Sequence, residues 1–177
     1  MTSLYEKIVS EHGSGRDWMD KVPGLRGYLD KSDRRTADRM MREHVATELT
    51  NRLNRYVGIE KQILRDGGLA LMGITRDAKT KFQIYIDRVK TAAPGYSGFF
   101  AAIKVDDAAM ERLYAFDEAQ LRYLDQFDIA LTGLEEAVKA GEGVEDKVQA
   151  IYNLAQEADE AFRLREKVIT EIDSALT

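Results

Sequence analysis

Histidines and carboxylates at helical spacing are the first residues in this chain that could do chemistry. It has two histidines, His12 and His44, and no cysteine. His44 and Glu48 lie four apart, so a helix places them on one face. A metal centre among packed helices draws carboxylates and histidines from several helices, with a Glu-x-x-His unit from each of two. No such unit occurs. The expectation is a half-exposed imidazole beside a surface acid, with no metal and no cofactor. Without cysteine there is neither a thiolate ligand nor a disulfide framework.

Asp117 is the second candidate. Stepping by three and four from Leu113 to Leu124 passes through Asp117 and Gln120, two polar residues on an otherwise apolar face. A carboxylate there needs a partner, because an isolated buried charge is costly. The expected partner is an Arg or Lys of another helix. A slightly rotated face through Phe116 and Tyr123 is the alternative. One buried acid without a catalytic neighbour does not define a reaction.

Two further segments could bind rather than react. The stretch from Gly95 to Val105 carries Tyr96, Phe99 and Phe100. It reads either as a plug closing one end of the core or as a tip touching a partner or membrane. The stretch KVPGLRGYLDKSDRRTADR supplies Lys21, Arg26, Arg34 and Arg35 near a helix start, where an anion could be received. Asp20, Asp30, Asp33 and Asp38 interleave with these cations, which is the pattern of an internally paired or solvated face. No phosphate-binding glycine loop, nucleophile elbow or dinucleotide fingerprint is present.

The elements that position these residues are set by where helix breakers fall. The two prolines are Pro23 and Pro94. Proline removes a helix hydrogen bond, and glycine costs about 1 kcal/mol in a helix interior. Spans almost free of both predict long helices. A short helix fits residues 2–12, and residues 13–30 read as irregular. The first long helix is expected from a cap at Ser32 or Asp33 to about Arg65, with Ala37, Met41, Val45, Leu49, Leu53, Tyr56 and Ile63 on one face. Gly67 and Gly68 end it. The second covers about 69–92, with a seam through Leu71, Thr75, Ala78, Phe82, Tyr85, Val89 and Ala92. The third runs from a cap at Asp106 or Asp107 to about Ala140. The fourth runs from about Val144 to Ala175. The expected fold is all-α: an elongated antiparallel four-helix bundle of two helical hairpins over residues 31–177, preceded by a short helix and an irregular basic segment over 1–30.

Charge is unevenly divided. Residues 1–105 balance at +6 and residues 106–177 at −11, giving −5 for the chain. Opposite halves can hold one fold together or hold two copies together. The acidic total argues against nucleic acid, which needs an uncompensated basic face. No apolar stretch is long enough to span a bilayer, and the first residues lack a secretory pattern, so a cytoplasmic location is expected.

Two stretches, KVPGLRGYLDKSDRRTADRMMREH (21–44) and APGYSGFFAAIKVDDAAMERLYAFD (93–117), resemble an uncharacterised family of bacterial cytoplasmic all-helical proteins. The resemblance covers residues 20–140 and departs at Phe99-Phe100, where one aromatic is expected. It implies no activity, catalytic residue or cofactor. The residues themselves predict a non-enzymatic scaffold or interaction protein that self-associates or binds another helical protein. The alternatives are a peripheral protein on anionic membrane, touching through residues 21–39 and the aromatic loop, and a metal-binding bundle using His44, Glu48 and Asp117.

Overall fold

The structure, a computed structural model, describes residues 1–13, 15–30, 34–92 and 107–175. Every regular element among them is helical, so the chain is all-α. Helix α1 (Leu4–Glu11) starts with a capping box. Glu6 N–H donates to Ser3 Oγ at 3.2 Å, and Ser3 N–H donates to the Glu6 carboxylate at 2.8 Å. A 3₁₀ turn over Asp17–Lys21 and a short helix α2 (Leu25–Asp30) follow.

The reading of residues 13–30 as irregular is therefore corrected. Trp18, Met19, Val22 and Leu25 are buried. Packing those side chains outweighs the local breakers, since tertiary burial supplies most of the stability of short helices.

Four long helices carry the core: α3 (Arg34–Arg65), α4 (Met72–Thr91), α5 (Asp107–Ala140) and α6 (Val144–Ala175). The caps expected at Ser32, Asp33 and Asp106 lie outside the described residues. The second long helix starts later than the spacing predicts. Leu69–Leu71 forms a 3₁₀ turn, with Leu71 N–H donating to Gly68 C=O at 2.9 Å, before α4 begins.

Both inter-helix turns are closed in the same way. Gly67 has φ +91° and Gly141 has φ +71°, a backbone state that glycine adopts without a Cβ penalty. Behind them Gly68 N–H bonds Ile63 C=O, and Glu142 N–H bonds Ala137 C=O. Each reaches back five residues, as in a Schellman end.

Helix α3 packs on α4 and α5, and α6 packs on the same two. Matched positions give the directions. Arg34 meets Tyr114, Arg52 meets Asp128 and Arg55 meets Glu135, so α3 and α5 run parallel. Tyr123 meets Glu157 and Asp117 meets Arg165, so α5 and α6 run antiparallel. The short turn 66–71 joins α3 to α4; Tyr56 bonds the Thr75 carbonyl near it, and Ala46 and Val89 line one cleft far from it, so α3 and α4 also oppose. The expectation of antiparallel neighbours thus holds within each hairpin and not between the hairpins. As a result both turns, 66–71 and 141–143, lie at one end.

The core between the hairpins is apolar and aromatic. Thr75, Ala78, Phe82, Tyr85 and Val89 are buried along α4. Phe82 stacks on Phe127 with centroids 4.3 Å apart and an interplanar angle of 9°. The chain's opposite charges meet across the same contacts. Arg52 binds Asp128, Arg55 binds Glu135 through two bonds, and Arg88 binds Asp159. Much of the charge difference between the two halves is engaged within one copy.

Candidate functional site

The long helices carry their most unusual chemistry away from the turns, where buried charges replace the apolar seam. Asp38 on α3, Asp117 on α5 and Arg165 on α6 are 5%, 8% and 1% exposed. Arg165 joins the two acids. Its Nε donates to Asp117 Oδ1 at 2.5 Å and its Nη2 donates to Asp38 Oδ1 at 2.6 Å. Arg42, one turn along α3, donates from Nε to Asp38 Oδ2 at 2.9 Å. These two carboxylates and two guanidiniums sum to zero charge, which is the condition for tolerating ions out of water.

The two acids are not equivalent. Burial pushes Asp38 up, but Arg165 and Arg42 outweigh it and hold its carboxyl below the ordinary value. Burial also pushes Asp117 up, and here it prevails. Asp117 has Arg165 alone as a bonded guanidinium partner among the described residues, with the Asp38 charge opposing its ionisation. Glu166 next along α6 is raised too, chiefly by burial, against the pull of Arg88, Arg165 and Arg42. Arg88 completes the layer from α4 through Asp159, with Nε donating to Oδ1 at 2.5 Å.

What this layer can do is limited by space. The cavity against Asp38, Asp117 and Arg165, closed by Leu25, Arg34 and Tyr114, measures about 10 Å³. One water is the most it could hold. Its chemistry is that of a paired ionic layer tying α3, α5 and α6 in one register.

Of the residues singled out from the sequence, Asp117 sits in this layer. Tyr96, Phe99 and Phe100 lie outside the described residues. Three of the four cations turn to groups of the chain itself. Lys21 Nζ is 3.6 Å from Asp125. Arg26 donates twice to Asp20, at 2.8 and 2.9 Å, and that bonding lowers the Asp20 carboxyl. Arg34 donates to the Tyr114 hydroxyl, with its guanidinium 5.3 Å from the ring centroid. Arg35 is exposed. Glu48 pairs with Arg52 at 2.9 Å, while Asp117 pairs with Arg165. Among the described residues no three His, Asp or Glu side chains could hold a metal ion.

Sequence reasoning missed Asp38 and Arg165, though a signal for each exists. The α6 seam steps 158, 162, 165, 169, 172, so Arg165 falls on the inner face. On α3, steps of three and four place Asp38 before Met41 and Val45. The chain matches no protein-family model, no curated protein and no solved structure. No helix among the described residues is long and apolar enough to cross a membrane.

Proposed function

We propose that this chain is a non-enzymatic helical interaction protein, its four long helices forming an elongated bundle that associates with a second copy of itself. The observation that carries this reading is a mixed groove of about 340 Å³ between α4 and α6, in which Thr80 and Gln149 stand beside apolar side chains. Ile74, Ile84 and Tyr152 line it, with Asp77 and Lys81 one turn apart on α4. Ile84 remains 41% exposed. A two-fold interface pairs one patch with itself. Two copies in that relation set Asp77 of each opposite Lys81 of the other and cover the isoleucines.

The engagement of basic and acidic helices within one chain changes the expected driving force. Association would rest on apolar burial, which salt does not weaken, rather than on opposite-charge halves. The paired carboxylates and the small cavity at the ionic layer support a role without catalysis. A membrane-surface role is the weaker reading, because Lys21, Arg26 and Arg34 are engaged by the chain.

Sedimentation equilibrium over a range of concentrations tests this. The unaltered chain should approach dimer mass, at low and high salt alike. Ile84→Asp should remain monomeric with the same far-UV helix signal. An unaltered chain that stays monomeric at every concentration, or an Ile84→Asp dimer, overturns the proposal.

A further inference from the structure

A cleft of about 400 Å³ opens between α3 and α4, well away from the turn that joins them. Its shape follows from small residues. Between Glu43 and Asn51, α3 offers it only Ala46, Thr47 and Thr50, and α4 answers with Val89 and Lys90. Ala46 and Val89 are 4% and 0% exposed, so they form its floor. A large side chain at 47 would close it. The volume falls within the range of small-molecule sites, about 300–1,000 Å³.

The donors around this floor have capacity left. Arg42 lines the cleft with a side chain only 11% exposed. Its Nε is taken by Asp38 at 2.9 Å, and no described residue accepts from its Nη1 or Nη2. A guanidinium is a planar fork of five donors, so one carboxylate at Nε leaves others for a second acceptor. The bond to Asp38 also fixes the fork in place. Thr47, Asn51 and Lys90 bond no other described residue through their side chains. Thr50 is turned to its own helix, donating to Ala46 C=O at 2.7 Å.

Charge selects what can enter. The α3–α4 hairpin, residues 34–92, carries 13 Lys/Arg against 7 Asp/Glu. Arg35, Arg39 and Lys90 make no ion pair with a described residue. Asp87, three residues before Lys90, accepts from Gln83 at 2.8 Å. A cation entering the cleft would meet Arg42 and Lys90. An anion would meet both as partners, in a site whose apolar floor lowers the competition from water. Glu43 at the rim opposes a second negative charge, so a monoanion fits better than a dianion.

We propose that the α3–α4 cleft is a binding site for a small organic carboxylate, its charged end on Arg42 and Lys90 and its short apolar body over Ala46 and Val89. Thr47 and Asn51 supply hydrogen bonds at the rim. The site shares no residue with the α4–α6 groove, so it stands or falls independently of self-association.

Titration of the ¹⁵N-labelled full chain, followed by amide chemical shifts, provides the test. The probes are butyrate, butanol (the body without the charge) and inorganic phosphate (a charge without the body). Butyrate should move the amides of residues 42–51 and 88–91 along one saturating curve in the millimolar range, as its few heavy atoms allow. Butanol and phosphate should each bind at least about ten-fold more weakly, since each lacks one of the two contacts. Lys90→Glu should weaken butyrate by about ten-fold or more, and Thr47→Phe should exclude it by filling the cleft. Both positions are exposed, so both variants should keep the melting temperature and far-UV signal of the unaltered chain. Arg42 is left in place, because removing it would also strip Asp38 of a partner. The proposal is overturned by any of three results. One is no saturating shift with butyrate. Another is butanol or phosphate binding as tightly as butyrate, and the last is undiminished butyrate binding in both folded variants.

Discussion

The half of the long helices nearest the two turns and the half nearest the N-terminal segment solve the same packing problem by different means. Toward the turns, Ala78, Phe82, Phe127, Leu131 and Ile151 fill the space between hairpins, with Phe82 stacked on Phe127. Near the N-terminal segment, Arg165 bridges Asp38 and Asp117 where an apolar layer would fit. Apolar packing tolerates small shifts, because its attraction is non-directional. A guanidinium between two carboxylates tolerates few, because each bond has a fixed geometry. The charged layer thus specifies which turn of α6 faces which turn of α3 and α5, while the aromatic half supplies cohesion.

Removing Arg165 should separate the two halves most clearly. Arg165→Met leaves two carboxylates buried without their shared partner and should cost about 3–5 kcal/mol in urea unfolding. Replacing the whole group, with Asp38→Leu and Asp117→Leu added to Arg165→Met, should recover most of that loss, since an apolar trio needs no pairing. If the triple variant is no better than the single one, the ionic layer contributes cohesion as well as register, and the contrast between the halves fails.

Acid sharpens the comparison, because the two acids respond with opposite sign. Asp38 is held below its ordinary value of 3.8, so its contribution is complete above that value and is lost as pH falls through its folded-state value. Asp117 is raised, so its contribution is present at low pH and declines as pH rises from 3.8 through its folded-state value. Urea midpoints followed into acid should therefore fall less steeply in Asp38→Asn than in the unaltered chain, and more steeply in Asp117→Asn. Parallel curves for all three proteins would show that neither acid is set by Arg165.

The smallest effect belongs to the turn end. Gly141→Ala imposes a Cβ at φ +71° and should cost about 1–2 kcal/mol, leaving the charged layer untouched. Its melting temperature should fall at every pH by the same amount. A pH-dependent fall would mean that the turn and the ionic layer are coupled along α5 and α6.

Much of the helical scaffold could be read in advance. Gly67 and Gly141 are glycines where the chain needs a left-handed turn, and Gly68 sits where a Cβ would meet Ile63 at 2.7 Å, so the hairpin ends follow from residue type. The run Thr75, Ala78, Phe82, Tyr85, Val89 follows from a period of three and four. The site was harder. Asp117 stood out as a polar residue on an apolar stripe, but Arg165 did not, because arginine is ordinary on a helix surface and the seam can be traced from Phe162 to Ile169 without it. The N-terminal segment was harder still. Gly13, Gly15 and Pro23 argue against structure locally, and nothing within residues 13–30 reveals that Trp18 and Leu25 have a surface to cover.

Sequence alone determined that this is a chain of long helices joined at glycines, because breakers and apolar period act within a few residues of one another. The tertiary structure decided the rest: that α3 and α5 run parallel, that Arg165 is shared by acids of two other helices, and that Lys21, Arg26 and Arg34 meet the chain's own acids and aromatics. Those outcomes depend on which surfaces meet across separations of tens of residues. Side-chain charge has no preferred partner until burial removes water as the competitor.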